Sequence, residues 1–256
     1  MKIISGIVPL SLNDYPKEVS FVLFTQGCNL SCSYCFNKEL ISFDGGKYSI
    51  AEISDLISKR KNFISAVVIT GGEPLLHFDE IRGLCSQVKK WGLKVKIDSN
   101  GLLPDYIARL IRENLIDKVG LDFKGNIDIY RRFLQEKYLG ENGININDRK
   151  KIDFFLIKKY TEIYNLIRKY PDKFFLRTTV YKPDHSPEIL YQQMKALPDD
   201  ITWFLQSLNK KKLENNNDLI TYKKNEISDL FDSPDMKLLR KRKRIKIMYD
   251  FQDIIL

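Results

Sequence analysis

Residues 25–37 read TQGCNLSCSYCFN and hold three of the four cysteines of the chain, Cys28, Cys32 and Cys35. Thiols spaced C-x3-C-x2-C on one short segment can wrap around a single centre, and thiolate ligands select zinc or iron–sulfur. A closed structural zinc site needs four ligands, and the fourth would have to be His77 or Cys85. Cys85 recurs at helical spacing with Ile81, Leu84 and Val88, the pattern of a buried core thiol. A 4Fe-4S cluster on three cysteines instead leaves one iron without a protein ligand, open to a substrate or cofactor. Other chemistry is sparse. The two histidines are His77, just past a GGEP turn, and His185, in KPDHSP, and neither a Ser-His-Asp set nor a pair of glutamates stands out. This inventory suits a bound cofactor carrying the difficult step better than proton-transfer catalysis, and no flavin or nicotinamide fingerprint stands out.

The elements that position these residues are readable from hydrophobic patterning. Strand-like runs are VSFVLF (19–24), AVVIT (66–70), LKVKID (93–98), KVGLDF (118–123), FFLRTTV (174–180) and ITWFLQ (201–206). Between them lie helical patterns such as SIAEISDLISKRK and FDEIRGLCSQVKKWG, the second ending on a glycine suited to a helix C-cap. Six strand-then-helix units imply an α/β fold of parallel strands with right-handed crossovers. Spacing alone leaves an open doubly wound sheet and a partial (βα)6 barrel equally open, and in both the ligands gather at the carboxyl ends of the strands. The cysteines follow the first strand directly, so they fall at that end. The long connection at about 125–170 reads as two helices, DIYRRFLQEKYL and RKKIDFFLIKKYTEIYNLIRKY, around the turn GENGININD.

Composition narrows the setting. A chain of 256 residues, 43% hydrophobic, can bury a full core as a single domain without disulfides. Its start, MKIISGIVPLSLNDYP, lacks the features of a signal peptide, and a cytoplasmic protein is expected. No apolar run approaches the ~20 residues of a membrane helix. A net charge of +9 suits nucleic acid or an acidic protein partner. Lys, Ile and Asn are abundant throughout, so a compositional bias is the simpler reading and nucleic acid the less favoured partner. In the tail, about 209–256, KLLRKRKRIKIMYD reads as a solvated basic run followed by an edge strand.

The cysteine triplet after one strand and GGEP, Gly71 to Pro74, after the next together resemble the radical S-adenosylmethionine (SAM) superfamily. A GGE tripeptide alone reads equally as a tight turn. The resemblance implies a partial (βα)6 barrel, a 4Fe-4S cluster on Cys28, Cys32 and Cys35, and SAM chelating the open iron. Gly71 and Gly72 are then expected to run beside its methionine end, Glu73 to contact or organise around its ammonium, and Tyr34 to pack near the adenine, with core packing as the alternative for Tyr34.

The ordered set SLNDYPKEVSFVLFTQGCNLSCSYCFN, VVITGGEPLL, KIDSNGLLP, LDFKG and RTTV is similar to the activating protein of anaerobic ribonucleoside-triphosphate reductase over roughly residues 5–206. That family implies cleavage of SAM to a 5′-deoxyadenosyl radical, which takes hydrogen from a glycine of a partner glycyl-radical enzyme. It also implies Asp98 and Asn100 near the nucleoside and a monovalent cation at Asp98 and Asp122. Asp122 and Lys124 fall beside the SAM carboxylate and incoming peptide, with Arg177 and Gln206 facing the barrel interior. A flavodoxin or ferredoxin is the expected electron donor. Phe36 replaces the His usual after the cluster motif and Ser99 the usual Thr, which bears on the partner rather than on SAM chemistry. The alternatives are a radical SAM enzyme on a small nucleotide-like substrate, of the carboxy-deazaguanine synthase class, and a non-catalytic Fe-S or Zn module binding nucleic acid.

Overall fold

The computed structural model describes residues 1–199, 201–207, 226, 237, 244–249 and 252–254. Strands form at all six expected runs: β2 (Ser20–Thr25), β4 (Ala66–Gly71), β5 (Lys94–Ser99), β6 (Lys118–Asp122), β7 (Phe174–Val180) and β8 (Thr202–Ser207). They lie side by side in chain order and every neighbouring pair is parallel. On one flank β1 (Lys2–Ser11) pairs antiparallel with β2, and β3 (Tyr48–Ser49) with β1. On the other, β9 (Arg244–Tyr249) runs parallel to β8 and β10 (Gln252–Ile254) antiparallel to β9. The terminal strands β3 and β10 do not meet, so the sheet is an open, partial (βα)6 barrel widened at both edges. The tail strand expected at the edge is therefore one place further in, with β10 outside it. Most of the basic run, including Arg240 to Lys243, lies outside the described residues.

Helices α1 (Ile50–Ser58), α2 (Phe78–Lys90), α3 (Pro104–Arg112) and α7 (Pro187–Ala196) fill crossovers between these strands. Their ends follow local chemistry. Ser49 and Glu52 form a reciprocal capping box at the start of α1, and Gly92, at φ +76°, turns the chain beyond α2. Alternation along each strand sends Val67, Ile69, Val95, Ile97, Val119, Leu121, Leu176 and Trp203 into the layer beneath the helices, against Ile53, Ile57, Ile81, Leu84, Val88, Ile107 and Leu110. Each such side chain stabilises the fold by about 1.5–3 kcal/mol relative to exposure. Cys85 is fully buried in this layer, as its helical spacing indicated.

The opposite parity faces the concave side of the sheet. There Val22, Ala66 and Val68 form a small apolar cluster with Tyr15, while Thr70, Asp98, Asp122, Arg177, Thr179 and Gln206 line a cavity. Gly120 on β6 sits opposite Asp98 on β5, and a Cβ there would lie 2.2 Å from Asp98 Oδ1. The missing side chain makes room for that carboxylate.

The connection after β6 departs from the expected helix pair. It forms α4 (Ile127–Phe133), α5 (Glu136–Glu141) and the long α6 (Arg149–Lys169). The first helix breaks at Leu134, which is extended at ψ 132° and makes an antiparallel bridge to Leu30 of the cysteine loop. Among the described residues no helix is long and apolar enough to cross a membrane.

Candidate active site

Cys28, Cys32 and Cys35 are half-buried on the loop after β2 and line one cavity of about 250 Å³. The same cavity is lined by Tyr34, Gly71, Gly72, Asp98, Asn100, Asp122, Lys124, Arg177 and Gln206. The structure thus brings together every predicted site residue except Glu73 at the carboxyl ends of the parallel strands.

Glu73 is fully buried and does not reach the cavity. Its carboxylate accepts from Leu75 N–H at 3.2 Å, Ser99 Oγ–H at 3.2 Å and Asn100 N–H at 2.8 Å. Burial pushes its pKa up to about 7 even though those three donors favour the charged form. Glu73 thereby organises the turn after β5. Asn100 passes that order on, its Nδ2 donating to Asn29 Oδ1 in the cysteine loop at 2.6 Å. The two glycines before Glu73 also have a structural origin. A Cβ on Gly72 would lie 2.0 Å from Gly27 O, and one on Gly71 would lie 2.2 Å from Thr25 N, so the end of β4 packs backbone to backbone on the root of the cysteine loop. The glycines admit this approach from one side while lining the cavity on the other.

Across the cavity runs an ionic chain. Lys96 Nζ, only 2% exposed, lies 3.0 Å from Asp98 Oδ1. Arg177 reaches Asp98 Oδ2 at 3.3 Å and Asp122 Oδ1 at 2.8 Å, and Lys124 Nζ lies 3.3 Å from Asp122 Oδ2. Burial opposes the charge on Asp122, but Arg177 and Lys124 overcome it and hold its pKa at about 2. Burial lowers the pKa of Lys96, with Asp98 acting in the opposite direction. The carboxylates expected to hold a monovalent cation are thus bridged by the Arg177 guanidinium, and three cations face two carboxylates. Lys96 was missed in the sequence, although its i, i+2 relation to Asp98 on a strand places both on one face.

The cysteine loop is roofed by α4 and α5. Tyr130 donates its hydroxyl proton to Asn100 O at 3.0 Å, lies 3.3 Å from Asp122 O and accepts from Lys124 N–H at 3.3 Å. His185 is buried, donating from Nε2 to Lys124 O at 2.8 Å and accepting from Tyr181 N–H at Nδ1. Tyr34 stands edge-on to Phe133 with ring centres 5.6 Å apart, and its buried hydroxyl has no hydrogen-bond partner among the described residues. That orphan group at the cavity wall fits a site shaped for a further molecule.

The donor set fits an iron–sulfur cluster with an open position. His77 Nε2 lies 2.6 Å from Gln26 O, and Cys85 is in the core on the other face of the sheet, so neither zinc-completing candidate lines the cavity. Among the described residues no three His, Cys, Asp or Glu side chains are already closed around a common centre. Burial pushes the thiol pKa of Cys28 up to about 12 and that of Cys32 to about 11. Metal loading must therefore draw the sulfurs inward and displace their protons.

Residues 22–142 match the family profile of the radical SAM superfamily. Over this segment, a little under half of its length, the chain is similar to the radical SAM superfamily. Over 139 residues it is 40% identical to a Methanocaldococcus jannaschii protein provisionally named a glycyl-radical enzyme activating enzyme, covering 54% of this chain and 57% of that one. It is also 38% identical over 79 residues to the 7-carboxy-7-deazaguanine synthase of Hyperthermus butylicus, covering 30% and 33% of the two chains. The match spans less than two thirds of the length of either relative. In fold, the protein is similar to Streptococcus suis SuiB bound to S-adenosylmethionine, with a TM-score of 0.60 and 13% identity over 87% of this chain and 48% of that chain.

Proposed function

We propose that the protein is a glycyl-radical-enzyme activase, with anaerobic ribonucleoside-triphosphate reductase as its client. The observation that carries the reading is the three-thiol loop, which among the described residues has no fourth cysteine and no histidine beside it in the cavity and shares that cavity with the strand-end carboxylates and cations. The activating-enzyme relative, the longer and more similar of the two matches, favours a protein client over a small substrate. Cys28, Cys32 and Cys35 would hold a 4Fe-4S cluster, which when bound supplies the electron for cleaving SAM to methionine and a 5′-deoxyadenosyl radical.

The roles of the other residues follow from their contacts. Lys124 and Arg177 present positive charge to the SAM carboxylate, and Asp122 holds both in place by the ion pairs above. Tyr34 offers a ring and an unpartnered hydroxyl to the nucleoside. Glu73 works through Asn100 and holds the loop that carries the cysteines. An acidic flavodoxin or ferredoxin suits the +9 chain as electron donor. The test is anaerobic incubation of the iron-loaded protein with SAM and a reductant, with and without the reductase. The expected result is 5′-deoxyadenosine together with a glycyl radical resonance on the reductase. Repeated turnover of a small nucleotide-like substrate with no protein partner would instead establish the carboxy-deazaguanine synthase reading.

A further inference from the structure

The junction between α4 and α5 is hydrogen-bonded to the cysteine loop almost as a strand is to its neighbour. Ser31 N–H donates to Phe133 O at 2.7 Å, Leu30 bridges Leu134, and Gln135 N–H donates to Asn29 O at 3.1 Å. The Gln135 side chain leaves its own helix and donates from Nε2 to Cys28 O at 2.9 Å and Leu30 O at 3.4 Å. The peptide group between Asn29 and Leu30 accepts from Gln135 at its oxygen, and its N–H lies 3.4 Å from Cys28 Sγ. A peptide polarised at one end donates more strongly at the other.

We propose that Gln135 is a positioning residue for the cysteine loop: its backbone and side-chain N–H groups fix the carbonyls of Cys28, Asn29 and Leu30, and so aim the Leu30 N–H at the Cys28 sulfur. The inference rests on the iron–sulfur reading given above. Hydrogen bonds to cluster sulfurs help set the reduction potential, and a donor aimed at sulfur favours the reduced, more negative form. The amide is required because a carboxylate at this position would face two carbonyl oxygens with no proton to give.

Two variants grade the loss. Gln135→Glu keeps the size and the backbone bond but removes the side-chain donor. Gln135→Pro removes the N–H as well and sets its Cδ against Asn29 O, while the local backbone suits proline, with φ −80° at Gln135 and an extended Leu134 at ψ 132° before it. In the iron-loaded protein we expect retained iron and an altered electron paramagnetic resonance spectrum of the reduced state. The midpoint potential moves to more negative values, further for Pro than for Glu. In cluster-free, reduced protein, alkylation of Cys28 by iodoacetamide, measured against Cys35 in the same sample, should rise severalfold. Parental potential, spectrum and alkylation ratio in both variants would overturn the proposal. If the proline variant does not fold, the glutamate variant decides. A parent protein that takes up no iron defeats the iron–sulfur reading, while the alkylation ratio still tests the clamp.

Discussion

The rim of the cavity and its roof solve the same task by different means. The rim, at the ends of β5, β6 and β7, is held by charge: Lys96, Asp98, Arg177, Asp122 and Lys124 pair in sequence across the interior. The roof of α4 and α5 is joined to the cysteine loop and the strand ends by neutral hydrogen bonds from Tyr130 and Gln135 to backbone carbonyls, while its ion pairs, Arg131 with Asp153 and Arg132 with Asp184, run to other segments. Removing one partner from a buried ionic chain leaves an uncompensated charge, whereas removing a neutral donor leaves an unsatisfied carbonyl, a smaller penalty. The rim is therefore expected to govern stability and the roof to govern the geometry of the cysteine loop.

The largest effect that would break this comparison is at Asp98. Asp98→Ala strands the Lys96 ammonium in a nearly dry site and should destabilise the protein by about 3–5 kcal/mol in denaturant unfolding. Lys96→Met should cost much less, because Asp98 keeps Arg177. Equal costs would show that the ionic chain is not the support described. On the roof, Tyr130→Phe should cost about 1–3 kcal/mol through the carbonyl left without its donor. A loss as large as that at Asp98 would erase the distinction between the two regions.

A third, smaller effect is in pH. Burial lowers the pKa of His185, with Lys124 O, Asp184 and Tyr181 acting against that shift and the Lys124 charge adding to it. The folded-state value lies below the ordinary 6.5, so the unfolded chain binds the extra proton in the window between them. The contribution of His185 is then complete above pH 6.5 and is lost as pH falls through the folded value, with a slope of at most about 1.4 kcal/mol per pH unit. Thermal unfolding of the parent against His185→Gln from pH 7.5 downward should show a flatter profile in the variant. The smallest expected change is Cys85→Ala, a loss of about 1 kcal/mol from a core thiol with no effect on iron content.

What was legible in the sequence follows from these differences. The six strands could be read because β2 and β4 are almost continuous apolar runs and the others keep apolar residues at alternate positions for the helix layer, and the cysteines because thiols at fixed spacing have few other uses. Glu73 was placed in the right turn and expected to contact or organise around the ammonium of the ligand. The hydrogen bond it accepts from the Asn100 N–H was not legible, because it depends on how β4 and β5 sit in register. Lys96 was hidden by the abundance of lysine in the chain. Gln135 had no local signal, since a glutamine inside RRFLQEKY looks like an exposed helical residue until the break at Leu134 turns it onto the cysteine loop. Contacts between segments more than a hundred residues apart leave no periodicity to read.

The measurement that tests the account most directly is iron content and SAM cleavage in anaerobically reconstituted protein, for the parent, each of Cys28→Ala, Cys32→Ala and Cys35→Ala, and Cys85→Ala. The expected result is about four irons and reductant-dependent formation of 5′-deoxyadenosine in the parent and in Cys85→Ala, with both lost in the other three variants. Stoichiometric zinc without iron, or loss of the cluster in Cys85→Ala equal to that in the other three, would contradict it.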